Sequence, residues 1–132
     1  MRELGRTAVA LQLDVADIAS LGAFVGNVRE ALQQTWSRDR FDFLINNGGM
    51  QITGAFADVS ERDLDELIGV HFKGVFFLTQ KLLPLLADGG AIGNISTGLT
   101  RFTSPHRVAY GSVKGAVEVL TRYLAEEPDR LS

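Results

Sequence analysis

Tyr110 and Lys114 stand four residues apart in "VAYGSVKGAV", residues 108–117. On an α-helix, positions i and i+4 share a face one turn apart, so the Lys114 ammonium can lie beside the Tyr110 phenol. A free phenol titrates at roughly pH 10 and is a weak base near neutrality, whereas a neighbouring cation favours the phenolate. A tyrosine in such a setting can pass a proton to or from an alcohol oxygen. The same spacing arises in ordinary helices, so the pair alone does not define a reaction centre. Upstream, Thr97 in "NISTG" offers a hydroxyl, and "NNGG" at residues 46–49 offers a glycine-bearing turn.

Other chemistries find less support. There is no cysteine, which excludes disulfides, thiolate zinc sites and cysteine nucleophiles, and which permits a cytoplasmic location. His71 and His106 are far apart and lack carboxylates at ligand spacing, so no metal site is expected. The net charge of −3 without a Lys/Arg cluster argues against nucleic acid as a partner. The most apolar run, "GVFFLTQKLLPLLA", is broken by Thr79, Gln80 and Lys81 and is too short and polar to span a bilayer. "MRELGRTAVA" contains no apolar h-region, so no signal peptide is read.

The elements that must position these residues follow from periodicity. At 132 residues, 45% hydrophobic and 22% charged, the chain suffices for one domain with a core. "TAVALQL" (7–13) reads as a short buried strand ended by Asp14 and Val15. Asp17 reads as an N-cap, and Leu21, Phe24, Val25, Val28, Leu32 and Trp36 follow at helical spacing, predicting a helix over 18–36. "FDFLI" (41–45) reads as a second strand stopped by "NNGG". Ser60 to Asp63 resembles a capping box opening a long helix to about residue 86, with Pro84 frustrating its last turn. "GGAIGNIS" (89–96) reads as a third strand, and a helix over about 107–125 carries Tyr110 and Lys114, before the polar "EEPDRLS". Strand and helix alternate three times, which predicts an α/β fold with a parallel sheet. Ligands of such sheets bind beyond the carboxyl ends of the strands, where "DV", "NNGG" and "STG" all fall.

Taken together, Tyr-x-x-x-Lys, the upstream hydroxyl of Thr97, the Asn-Asn-x-Gly turn and "HFKGVFFLTQKLLP" between them resemble the short-chain dehydrogenase/reductase family. The resemblance runs from about Ala8 to Ala125. It implies a single incomplete Rossmann-like domain over 1–132, a partial doubly wound parallel sheet with about three strands and three helices. It also implies hydride transfer between NAD or NADP and a small-molecule alcohol or carbonyl substrate. By this resemblance Tyr110 is the acid/base, and Lys114 assists it and holds the nicotinamide ribose. Asp14 and Val15 lie by the adenine. Asn46, Asn47, Gly48 and Gly49 line the cofactor cleft, with Gly48 where the family has alanine. Thr97 falls where the family has its carbonyl-polarising serine, and its other reading is simply the end of a strand. His71 falls where the family has an asparagine that holds a relay water; it either takes that part or fills space among apolar neighbours. The resemblance places the start of the chain within the family's second helix. The glycine-rich pyrophosphate turn, the first two strands and the substrate-covering segment are then expected to lie outside these 132 residues. Two expectations follow: weak or absent NAD(P) binding by the chain alone, and homo-oligomerisation through the 60–86 and 107–125 helices. A non-catalytic fragment or remnant that keeps this association surface is the competing reading.

Overall fold

The computed structural model describes residues 5–127. The opening "MREL" and the end of the polar "EEPDRLS" lie outside the described residues. Four helical stretches, α1 (Leu21–Trp36), α2 (Glu61–Ile68), α3 (Gly74–Leu82) and α4 (Val108–Glu126), surround two strands, β1 (Phe41–Asn46) and β2 (Leu86–Asn94). The strands pair in parallel, as the alternation of elements predicts.

Among the described residues two strands are present rather than three. Residues 7–13 form no ladder, and Val9 and Leu11 are substantially exposed. A strand needs a neighbour for its backbone groups, and β1 has one only in β2. Leu13, Val15 and Ile18 nevertheless pack on the core formed by Leu21, Leu78, Leu82 and Leu85. The segment is therefore anchored by side chains and not by a sheet. The free edge of β1 borders an apolar trough of about 450 Å³, lined by residues including Val15, Phe24, Val28 and Phe43.

Helix α1 starts three residues later than its periodicity suggests. Two turns precede it: the Asp14 carboxylate accepts from Ala16 N–H (2.9 Å), and that of Asp17 accepts from Ser20 N–H (3.3 Å). Asp17 thus closes a turn, and Ser20 occupies the N-cap position. The capping box is present as expected. Ser60 accepts from Asp63 N–H, and Asp63 accepts from Ser60 N–H.

The long helix predicted over 60–86 is interrupted. Residues Gly69–Lys73 make a π turn, closed by Gly74 N–H donating to Gly69 C=O, and Pro84 sits in a 3-10 turn (Leu83–Leu85) that ends the helix. Strand β2 begins at Leu86, earlier than expected, because its first residues bulge. Phe41 pairs with Leu86, but Phe43 already pairs with Ala91. Glycine is required there: Gly89 has φ +74°, and a Cβ on Gly90 would lie 2.8 Å from Asp42 C=O.

Candidate active site

Because β1 and β2 are parallel, their carboxyl ends lie side by side. Asn46 pairs with Asn94, and both chains leave the sheet there. The turn 47–50 leaves β1, Ile95 to Thr97 leave β2, and α4 brings Tyr110 and Lys114 over the same end.

Lys114 is only 6% exposed. Its Nζ donates to Ile95 C=O at 2.6 Å and lies 6.0 Å from the Tyr110 ring centroid. Burial pushes its ammonium below the usual lysine range. Ile95 N–H in turn donates to Asn46 C=O at 3.0 Å, so the lysine is anchored to the junction of both strands. The pair expected from i,i+4 spacing is therefore together on one side of α4. Thr97 precedes the short 3-10 turn Gly98–Thr100, where its Oγ1 accepts from Leu99 N–H (3.4 Å). No acceptor for its own hydroxyl hydrogen occurs among the described residues, which leaves that hydrogen available to a ligand oxygen.

His71 is buried, 2% exposed. It lies within the π turn, its ring edge-on to Tyr110 with centroids 5.3 Å apart. Its Nε2 sits 2.6 Å from Met50 C=O, in the turn that follows β1. Burial holds the imidazole below its ordinary range; the bond to Met50 opposes that, and the Lys114 charge reinforces it.

The cofactor-turn residues separate into different environments. The Asn46 amide donates to Thr79 Oγ1 (3.1 Å) and to Asn94 Oδ1 (2.8 Å), and Asn94 donates to Thr121 Oγ1 (2.9 Å). Asn46 is thus a clamp joining α3, β1, β2 and α4. Asn47, Gly48 and Gly49 are exposed at the strand end. A Cβ on Gly48 would meet nothing within 4 Å, whereas one on Gly49 would lie 2.7 Å from His71 Cε1. Val15 packs against α3, since a Cβ on Gly74 would lie 2.7 Å from Val15 C=O, and it lines the same trough as Asn46, Asn47 and Gly48, whereas Asp14 caps its own turn at Ala16 N–H.

Sequence reasoning did not find the Asn46–Asn94–Thr121 chain, nor the bonds from Ser96 (2.7 Å) and Thr100 (2.8 Å) to Glu118. These donors hold the Glu118 carboxylate below its ordinary range. The available signal was polar residues at positions that periodicity assigns to apolar faces, such as Thr79 and Asn94.

The residues present fit one end of a dinucleotide. A lysine, a tyrosine and exposed turn amides converge at the carboxyl ends of two parallel strands. No glycine-rich strand-to-helix turn for a pyrophosphate occurs among the described residues. This arrangement is that of part of a Rossmann-like α/β unit. The chain belongs to the short chain dehydrogenase family, whose sequence profile matches residues 1–130.

Oxidoreductase UcpA of Salmonella typhimurium is 34% identical over 126 residues, covering 93% of this chain and 46% of that protein. An uncharacterised oxidoreductase of Bacillus subtilis, YxbG, is 32% identical over 127 residues, covering 95% and 44%. Among solved structures, the angucycline C-6 ketoreductase LanV with bound NADP superimposes with a TM-score of 0.86 at 30% identity, covering 95% of this chain and 50% of that one. A short chain dehydrogenase from Burkholderia cenocepacia in complex with NADP gives a TM-score of 0.83 at 30% identity, covering 96% and 49%. The chain spans about half the length of the curated relatives it matches.

Proposed function

We propose that this chain carries the proton-transfer half of an NAD(P)-dependent dehydrogenase that interconverts an alcohol and a ketone or aldehyde. The observation that supports it most is the buried Lys114, fixed on Ile95 C=O with its Nζ 6.0 Å from the Tyr110 ring. A buried ammonium has a desolvation cost that an ordinary surface lysine avoids. Its position beside a phenol at the ligand-binding end of a parallel sheet gives that cost a purpose.

A bound dihydronicotinamide supplies the hydride to the carbonyl carbon. As charge develops on the carbonyl oxygen, the Tyr110 hydroxyl gives up its proton to it, and the Lys114 ammonium stabilises the phenolate left behind. Thr97 Oγ1–H donates to the same oxygen and orients it. In the oxidative direction each transfer reverses. Lys114 would also hold the ribose of the nicotinamide, and the exposed 47–49 turn and Asp14–Val15 would border the remaining cofactor path. The substrate is a small alcohol or carbonyl compound.

We further propose self-association through α2–α3 and α4. Phe76, Val119 and Tyr123 are exposed on these helices, while Gly111, Ser112 and Gly115 leave α4 a shallow surface. The dehydrogenase assignment is tested in a protein of the relatives' full length containing this segment. Tyr110→Phe should lower kcat roughly 10²–10⁴-fold with cofactor affinity close to the parent. Equal turnover for the two would remove Tyr110 from the mechanism.

A further inference from the structure

Three features converge on His71. The helix that carries it widens into a π turn at Gly69–Lys73, and such turns concentrate at functional positions. Its Nε2 lies 2.6 Å from Met50 C=O, and Met50 N–H points at the same atom from 3.2 Å, the longer and weaker of the two contacts. Gly49, next to Met50, has no room for a Cβ because the His71 ring occupies that space. On its other side the ring meets Tyr110 edge-on.

The shorter contact selects the tautomer. With hydrogen on Nε2, His71 donates to Met50 C=O and leaves Nδ1 as a bare lone pair. With hydrogen on Nδ1, the 2.6 Å contact would set two acceptors against each other. It would also bury an unpaired donor, since Nδ1 is enclosed and without a partner.

We infer that His71, as the neutral Nε2–H tautomer, is a positioning residue that latches the 47–50 turn to the Tyr110 ring and thereby fixes the spacing between the cofactor cleft and the acid/base. With Nδ1 enclosed and unpartnered among the described residues, His71 acts through its contacts to Met50 and Tyr110. Gly49 is the matching half of the latch. The groups facing the ring are Met50 C=O from the β1 turn and Tyr110 from α4. Lys114, also on α4, contributes a positive charge, and no carboxylate pairs with the imidazole among the described residues. A second proton on the ring would therefore have no acceptor and would face a like charge. The importance of the latch for catalysis rests on the dehydrogenase reading, but its existence does not, and it is measurable without turnover.

The test uses the 132-residue chain and long-range ¹H–¹⁵N spectra of its histidine rings. The expected result is hydrogen on His71 Nε2, a pyridine-like Nδ1, and no protonation in the ordinary histidine range, roughly pH 6.5. Paired with this, amide exchange is followed in His71→Phe and His71→Gln. The phenyl ring keeps the bulk and loses the donor, so exchange across residues 48–51 should rise roughly tenfold, on the scale of one lost hydrogen bond. The amides of α4 should stay protected, and glutamine, which keeps an N–H donor, should restore part of the protection in the turn. A hydrogen on Nδ1, titration of His71 in the ordinary histidine range of roughly pH 6.5, or unchanged turn exchange in His71→Phe would each overturn the latch. If His71→Phe does not fold, the tautomer in the parent chain decides alone.

Discussion

Gly48 and Gly49 are neighbours in the sequence, yet the structure gives them opposite constraints. Gly48 faces open space and Gly49 abuts His71. Gly48→Ala should be accepted with little change in stability. Gly49→Ala must displace the imidazole, at a cost of about 1–3 kcal/mol for an overpacked site, read as a lower urea midpoint. The titration of His71 gives a second expectation. Its folded-state pKa is depressed, chiefly by burial, so the unfolded chain binds the proton more readily. The stability it contributes is present above the ordinary histidine value, roughly 6.5, and is lost as pH falls from there through the folded value. Urea midpoints measured downward from neutral pH should drop over that window, and His71→Phe should flatten this part of the curve. At Thr97, whose hydroxyl hydrogen we propose is offered to substrate, Ser should retain turnover and Ala should lower it in a protein of full family length.

At the level of elements, the Tyr110–Lys114 face of α4 was legible because helical spacing is a local property. The capping box at Ser60 was legible for the same reason, and Ser60→Ala should lower stability by about 1 kcal/mol in thermal or urea unfolding. The π turn was not legible. It arises where Gly74 must slip past Val15 C=O, a contact made between segments far apart in sequence. The side-chain bonds of Asn46 were not legible for a similar reason. A polar residue at a strand end reads as ligand-facing, but its partners Thr79 and Asn94 come from other elements. Removing its side chain leaves Asn94 Oδ1 without its donor, so Asn46→Ala should cost about 1–3 kcal/mol. Residues 7–13 misled in the other direction. Their β-favouring, apolar composition is local, whereas a strand requires a neighbour, and none is present among the described residues.

At the scale of the molecule, the chain carries the groups that we propose move a proton, and no glycine-rich cradle for a pyrophosphate occurs among the described residues. Titration of the isolated chain with NADH and NADPH, followed by nicotinamide fluorescence, should give weak or no binding and no turnover. Positioning contributes roughly 7–11 kcal/mol to barrier lowering in well-organised reactions, and a tyrosine–lysine pair alone cannot replace it. Saturable micromolar binding would show that the described surface suffices. Sedimentation should show concentration-dependent association, while a clean monomer at high concentration would count against the helical interface.

The uncovered side of β1 has a consequence for the lifetime of the chain. Phe43 and Ile45 are 72% and 59% exposed beside backbone groups that lack a ladder partner on that edge. Quality-control machinery recognises apolar side chains next to an open strand, and so does a second molecule at high concentration. Arg38 and Asp42 form an ion pair close to this surface and act as charged gatekeepers. How long the polypeptide survives after synthesis is then set by a race between coverage of that edge and capture by a protease or an aggregate. Abundance would respond to residues 43 and 45 even in variants whose proton-transfer groups are untouched.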